Sequence, residues 1–558
     1  MGITISHTGI GQNKFPTYSW PVRIPVSLSG GYAELRNNHF HGGLDIRTNG
    51  RQGIPIYAPA DGYISKISVS PYNYGRMICI THPEGFKTIY AHLSEFSNEI
   101  EKLVEAEQKK KENFEVELNL SPDQLPIKRG ELFAYSGNTG ASGAPHLHYE
   151  IRDDKNFEWN PSYFGYLVED ITPPRINSIY LYPVSENSLV EGRNQKKRIE
   201  VNYIHGQSQL KGKQLITVNG PVGIGVQAVD HIQGSHFTFG VYSLMVTVDD
   251  KLIYELKLDR IQFDNTRELN SHIDYEENLK TGRKVHKCFI DPGNDLDLYP
   301  VLVNSGIITY KDSGVHQIRI IAKDFSDNKA ELEFKLRFNP SASEKKEPED
   351  ALIMHYNKKE KIETNDLEAI FSKGTFYQNT PFEYKTEPGH GYFSLIHDLH
   401  NFYTPVKMPY VLKIKPVNLP ERLYDKAVIV RFSPHGTRIP LASENKDGWI
   451  EAEPRDLGKF AVTVDTIAPH VVPINIKNGR LTSSDFIRLG VHDGLTGIKD
   501  YKVTIDGQWT LFEYDPRIGQ IFHKIRPDSL IHGKTHRMIV TVSDKKNNTT
   551  HLQEDFFF

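Results

Sequence analysis

The stretch His146-Leu147-His148-Tyr149-Glu150-Ile151 alternates polar and apolar side chains without a break. In extended chain, successive side chains point to opposite faces, so Leu147, Tyr149 and Ile151 share one face while both imidazoles and Glu150 share the other. Such a strand needs a core under its apolar face and leaves two histidines together on the second. The preceding run, Ser136 to Pro145, holds three glycines and permits the tight, left-handed turns that can bring a strand to the rim of a cleft. A lone His-x-His pair is also an ordinary strand pattern, so its partners elsewhere in the chain decide what it does.

Those partners lie upstream, in His39-Phe40-His41-Gly42-Gly43-Leu44-Asp45. The spacing of His41 and Asp45 suits a helix face, but the two glycines between them disfavour a helix, and the segment reads as a loop entering a strand. Together with His148, His41 and Asp45 supply two imidazoles and one carboxylate, which around a tetrahedral ion leave one position open, as in a catalytic rather than a structural zinc site. His39 is the rival to His41. None of the 24 histidines is directly followed by glutamate, so the helical His-Glu-x-x-His motif is absent and the base must come from another group.

Further segments follow in order: Tyr57-Ala58-Pro59-Ala60-Asp61-Gly62, Tyr90-Ala91-His92-Leu93-Ser94, and Ser136-Gly137-Asn138-Thr139-Gly140. With the two histidine segments they make the region from about Phe15 to Gly165 resemble the M23 family of zinc metallopeptidases, the lysostaphin- or LytM-type cell-wall endopeptidases. The resemblance implies Zn²⁺ on His41, Asp45 and His148, with His146 and His92 as catalytic histidines. It also implies the peptide part of peptidoglycan as substrate, His146 as general base on a zinc-activated water, and His92 as a hydrogen-bonding partner of the oxyanion or the water. Glu150 is read either as a carboxylate behind the ligands or as a solvated strand residue. Where family members often have glycine before the proline of the last motif, this chain has Ala144; the following proline already favours extended chain, so little effect is expected. A non-enzymatic LytM-type regulator of a cell-wall amidase is the alternative, and such a protein need not keep its ligands.

At 558 residues and 38% hydrophobic composition the chain is too long for one core. A formal net charge of −4 gives no basic field for nucleic acid. Cys79 and Cys288 fall in different expected domains and read as two buried thiols rather than a disulfide or a metal site. No apolar run spans a bilayer and no export signal is visible, so the expected extracytoplasmic location, in periplasm or envelope, follows from the substrate that the resemblance implies.

The expected fold is dominated by β-structure. The 1–14 segment is a polar tail, and 15–169 is an antiparallel peptidase domain. Its strands Tyr63–Val69, Met77–His82 and Lys87–Leu93 are marked by turn signals at Asp61-Gly62 and Pro83-Glu84-Gly85. In the last of these, Thr88, Tyr90 and His92 are expected on the cleft face, opposite Ile89, Ala91 and Leu93. An insertion over about 95–127 carries a helix, Ser97 to about Phe114, with Ile100, Leu103 and Val104 as its apolar stripe.

Beyond it, the sequence repeats. Asp170 and Asp465 each stand four residues before a proline, His316 to Asp324 aligns with His536 to Asp544, Asn328 aligns with Asn548, and Val246 to Asp250 aligns with Val503 to Gly507. This periodicity predicts Ig-like β-sandwiches over 170–338 and 465–558, separated by a linker, 339–351, and a β-rich domain, 352–464. The sandwiches are possible contact surfaces for an envelope partner. Within 352–464, His390, His397 and His400 lack the carboxylate-and-glycine context of a metal site.

Overall fold

The computed structural model describes residues 15–204, 207–233, 235–339, 352–526 and 530–558. The expected tail, 1–14, and all of the expected linker except Asn339 lie outside these residues. The N-terminal domain is built on β1 (Leu28–Gly30), β2 (Leu44–Arg47), β3 (Pro55–Tyr57), β4 (Gly62–Val69), β5 (Arg76–Thr81), β6 (Lys87–Leu93) and β7 (Glu95–Phe96). It continues through α1 (Asn98–Lys111), β8 (Val116–Asn119), β9 (Pro126–Ile127), β10 (Leu132–Tyr135), β11 (His146–Arg152) and β12 (Phe157–Trp159).

The main sheet runs β1-β2-β11-β6-β5-β4-β8, so the His-x-His strand β11 sits inside it, antiparallel to β2 and β6. Leu147, Tyr149 and Ile151 point into a core shared with Ile46, Ile67, Ile78 and Tyr90. As a result His146, His148, Glu150 and Arg152 all lie on the opposite face. The turn signal at Pro83 to Gly85 does join the paired strands β5 and β6. Asp61-Gly62, in contrast, leads from β3 to β4, which are not partners: β3 pairs with β10 in a small sheet, β3-β10-β7.

The expected insertion is a helix followed by a strand that widens the main sheet, β8 pairing with β4. Helix α1 buries Ile100 and Val104, but Leu103, expected in the apolar stripe, is 42% exposed. Acidic Glu99 and Glu101 in its first turn and Lys109 to Lys111 in its last complement the helix dipole.

Three β-sandwiches follow. In the first, strand Lys197–Ile204 pairs with both Arg175–Pro183 and Gln207–Leu210, linking its faces into one 12-stranded assembly. The β-rich middle region is itself a sandwich of two five-stranded sheets around a core of Leu367, Phe371, Leu412, Ile429 and Phe460. The last packs a four-stranded against a six-stranded sheet. The sequence repeat is a repeat of structure: Val246 pairs with Ile320 in the first sandwich as Val503 pairs with Val540 in the last. In both, an aspartate at the strand end binds the aligned histidine, Asp249 to His316 at 2.6 Å and Asp506 to His536 at 2.8 Å.

The boundary near Asp170 is crossed by hydrogen bonds. Strand Arg260–Gln262 of the first sandwich pairs with β12 and extends the main sheet of the N-terminal domain, and Phe40, next to His41, is buried in the first sandwich's core. The last sandwich returns to the N-terminal domain: Lys524 binds Glu95 at 2.6 Å, Arg526 Nη1 binds Glu105 at 2.8 Å, and Arg517 donates to the Ser142 carbonyl at 2.7 Å. The chain therefore closes on itself. Among the described residues no helix is long and apolar enough to cross a membrane. Cys79 and Cys288 are both buried and free, in different domains.

Candidate metal centre

Strand pairing places the centre. His148 on β11 stands opposite Asp45 on β2, and His41 reaches the same point from the loop before β2. That loop runs against β11: a Cβ on Gly43 would lie 2.1 Å from the Tyr149 carbonyl oxygen, so only glycine fits there. His41 Nε2, His148 Nδ1 and Asp45 Oδ1 form a triangle with all three edges 3.0 Å. His39, the rival, is exposed and binds only the Asn37 carbonyl.

The outer hydrogen bonds of these three residues fix how they could hold a cation. His41 Nδ1 lies 2.6 Å from the Gly31 carbonyl oxygen, which can only accept, so that nitrogen carries the proton and Nε2 turns a lone pair inward. His148 Nε2 likewise donates to Glu150 Oε1 at 2.7 Å, so the neutral ring turns the lone pair of Nδ1 inward. The second oxygen of Asp45 is held by Arg36 at 3.0 Å. Three groups, each braced from behind, thus converge, and a cation that displaces the second proton of His148 would meet three acceptors, the arrangement in which outer partners orient metal ligands. A tetrahedral ion held at about 2.1 Å sets its ligand atoms about 3.4 Å apart, so the triangle admits one by opening a few tenths of an ångström.

Electrostatics point the same way. Burial works against the charge of Asp45, yet His41, His146 and His148 outweigh it and hold the carboxyl well below the usual range. Burial also disfavours a cationic His148, but Asp45 and Glu150 on either side draw positive charge strongly enough to hold its pKa up at about 10. The same field attracts a metal ion.

Two more histidines stand at the centre's open side. His146 is backed by the Ala144 carbonyl at 2.8 Å on Nδ1, and its Nε2 lies 3.4 Å from Asp45 Oδ1. Its side chain is 16% exposed, more than either ligand histidine. His92 is anchored by Nδ1 on the Thr139 carbonyl at 2.9 Å, with its ring centroid 4.8 Å from that of His146.

The route of His92 to this side differs from the expected alternation. Tyr90 belongs to the core, while Ile89 and Ala91 share the other face, beside His148 and Glu150, with Met77 and Cys79. Strict alternation would bury His92. A register shift gives β6 one residue more than β5 between the pairs Arg76–Leu93 and Ile78–Tyr90, and His92 takes a left-handed φ of 60°. This bulge turns the ring to the metal side, and a non-glycine residue in that conformation is a mark of a constrained site. Thr139, which anchors it, is followed by Gly140 at φ +69°, where a Cβ would strike the Asn73 carbonyl at 2.4 Å.

Glu150 is not solvated: it is 1% exposed and accepts from Tyr74 Oη at 2.7 Å and Arg152 Nε at 2.8 Å. Its carboxyl is held far below the usual range because Arg152 and His148 overcome the cost of burial. Sequence reasoning missed Arg152, Tyr74 and Arg36. Arg152 was legible as the next outward position after Glu150; nothing marks Tyr74 or Arg36, which come from loops. His397 lies on the strand Ile396–Leu399 and His400 just beyond it, and among the described residues no metal-binding group forms there.

Fold and site together define a two-histidine, one-aspartate group on an antiparallel sheet that could hold a metal ion, with two further histidines beside it. Residues 39–109, within the N-terminal domain, match peptidase family M23. Residues 351–465, the middle sandwich, match a Zu5-like domain. The chain is similar to an uncharacterized metalloprotease of Haemophilus influenzae, 36% identical over 111 residues, which is 20% of this chain and 18% of that one. It is also similar to the DD-carboxypeptidase/endopeptidase Mpg of Neisseria meningitidis serogroup B, 34% identical over 118 residues, 21% of each chain. The matched segment is thus about a fifth of these relatives' length. Among solved structures, the catalytic domain of the antimicrobial peptidase lysostaphin from Staphylococcus simulans matches with 25% identity over 25% of this chain and 88% of that one, at a TM-score of 0.18.

Proposed function

We propose that this protein is a zinc-dependent endopeptidase of the bacterial cell envelope that hydrolyses peptide cross-links of peptidoglycan. The observation that carries the reading is the convergence of His41 Nε2, His148 Nδ1 and Asp45 Oδ1 within 3.0 Å of one another, beside two histidines anchored through Nδ1 on backbone carbonyls. Zinc bound there would polarise the scissile carbonyl and acidify a water.

The chain's own residues do the rest. With its Nδ1 proton committed to Ala144, His146 presents Nε2 as the base that takes the water's proton and returns it to the leaving amine. Burial, together with His148 and His146, pushes the pKa of His92 down to about 3, so it stays neutral at working pH. Its proton lies on Nδ1, so Nε2 accepts from the water and orients it; of the two roles expected for His92, this tautomer favours the water over the oxyanion. Arg152 and Tyr74 hold Glu150, and Glu150 holds His148 in the ligand tautomer. The relative described as a DD-carboxypeptidase/endopeptidase supports the choice of peptidoglycan.

The test is digestion of purified peptidoglycan of defined cross-link chemistry with the full chain, followed by mass analysis of the released muropeptides. Cleaved cross-links that vanish with a chelator and return with zinc are expected. An unchanged profile with zinc-loaded protein contradicts the enzyme and favours the amidase regulator, whose test is stimulation of a purified amidase.

A further inference from the structure

The duplicated aspartates of the sandwiches remain unused by the peptidase chemistry. In the first sandwich Asp170, Asp230 and Asp324 bring one carboxylate oxygen each to within 4.8 Å of the others, and in the last Asp465, Asp493 and Asp544 do the same. The positions correspond one to one. Asp170 and Asp465 lie on the segments that lead into strands Arg175–Pro183 and His470–Pro473. Asp230 and Asp493 each follow the strand paired with that one, Val222–Val229 and Phe486–His492. Asp324 and Asp544 end the aligned strands Val315–Lys323 and Thr535–Asp544.

The bracing is duplicated as well. Asn328 donates its backbone N–H to Asp324 at 2.9 Å and its side-chain amide to Asp324 at 2.7 Å and to the Asp170 carbonyl at 3.1 Å. Asn548 makes the same three bonds to Asp544 and Asp465, at 2.9, 2.6 and 2.9 Å.

Three carboxylates held this close repel one another, and among the described residues none of the six is in an ion pair. Asp230 is 5% exposed, and its Oδ1 is buried with no hydrogen-bond partner; Asp493 Oδ1 is likewise buried and unpartnered. A buried acceptor left without a donor is costly and needs an explanation. Burial and the neighbouring Asp324 and Asp170 charges also push the Asp230 carboxyl up to about 7. An all-oxygen, carboxylate-rich cluster suits a hard cation, and the flexible coordination of calcium is met by such a cluster more readily than the near-ideal octahedron that magnesium demands.

We propose that each cluster binds one calcium ion, which ties the segment leading into a sandwich to that sandwich's own strand ends. The two ions fix the first sandwich at the peptidase boundary and the last sandwich at the middle one. This assignment is independent of the peptidase reading, because its readout is cation binding.

The test uses the full zinc-loaded chain stripped of calcium. Calorimetric titration with calcium chloride should give two sites, Asp230→Asn one, Asp493→Asn one, and the double variant none, with zinc content unchanged throughout. The double variant should also melt at or above the wild-type temperature in calcium-free buffer, since removing charge relieves repulsion, and should not respond to added calcium. A merely structural hydrogen-bonding role predicts the reverse, a lower melting temperature without calcium. No calcium binding by the wild-type chain at millimolar concentration overturns the proposal even if a variant fails to fold, as does a stoichiometry unaffected by both substitutions. Tighter binding of magnesium than of calcium overturns the assignment of the ion.

Discussion

Buried histidines meet at His272 and His286 and again at His41 and His148, and of these two pairs only the second forms a candidate metal-binding group among the described residues. In the first sandwich His272 Nε2 and His286 Nδ1 are 2.8 Å apart, and His272 Nδ1 is 3.0 Å from Tyr299 Oη. There one ring donates to the other and the tyrosine donates to the first, so the pair is satisfied without charge. Burial pushes His286 down to about 4 and, with the neighbouring His286 and Lys287 charges, His272 well below the usual value. At His41 and His148 the rings approach nearly as closely, 3.0 Å, but Gly31 and Glu150 bind their outer nitrogens and Asp45 joins the inner ones, so that carboxylates flank the pair. The lesson is that burial and proximity of imidazoles do not make a ligand set; the direction of their protons and a shared carboxylate do.

The largest expected effect breaks the comparison at its root. Asp45→Ala should lose bound metal and all measurable cross-link cleavage, since three protein ligands cannot spare one. His286→Ala should keep both, while losing roughly 2–4 kcal/mol of stability through the cavity and the stranded His272 donor. Elemental analysis, muropeptide release and denaturant unfolding on the two variants check this; metal loss in His286→Ala would mean the two pairs are not distinct. Next, His92→Ala should retain zinc and lose about 10²-fold in rate, the usual effect of a misplaced reactant, read from cleavage kinetics on metal-saturated protein. Glu150→Gln should weaken metal affinity about 10- to 100-fold, as removal of an outer partner does, measured by competition with a chelator.

The smallest effect is one of pH. His92 and His286 have folded pKa values of about 3 and about 4, below the unfolded value near 6.5. A group depressed in this way contributes stability that is fully present above about pH 6.5 and is lost as pH falls toward the folded value. Melting temperature should therefore decline from about pH 6.5 to about pH 4, and His286→Gln should flatten that decline. A variant with the wild-type slope would show that the neutral pair contributes nothing to it.

How much of this was legible depends on range in the sequence. The outward face of β11 could be read directly, because period-two alternation fixes it, and the duplicated sandwiches could be read from aligned Asp, His and Asn positions whose register the structure reproduces. His92 shows the limit: alternation placed it correctly for the wrong reason, since a bulge of one residue reverses the face and no residue type announces it. The loop partners Arg36 and Tyr74 were illegible because their contacts to Asp45 and Glu150 depend on tertiary closure. So was the return of the last sandwich, which sets Arg517 on the Ser142 carbonyl while the Ser142 hydroxyl lies 3.2 Å from His146 Nδ1.

The central claim is that ligand and base are separate on one strand, His148 holding the ion and His146 moving the proton. Zinc content, melting temperature and cross-link cleavage measured in parallel on His146→Ala and His148→Ala test it most directly. The account predicts that His146→Ala keeps near-stoichiometric zinc and a normal melting curve while losing about 10²-fold or more in cleavage, and that His148→Ala loses both metal and activity. Wild-type cleavage by His146→Ala, or full zinc occupancy in His148→Ala, would contradict it.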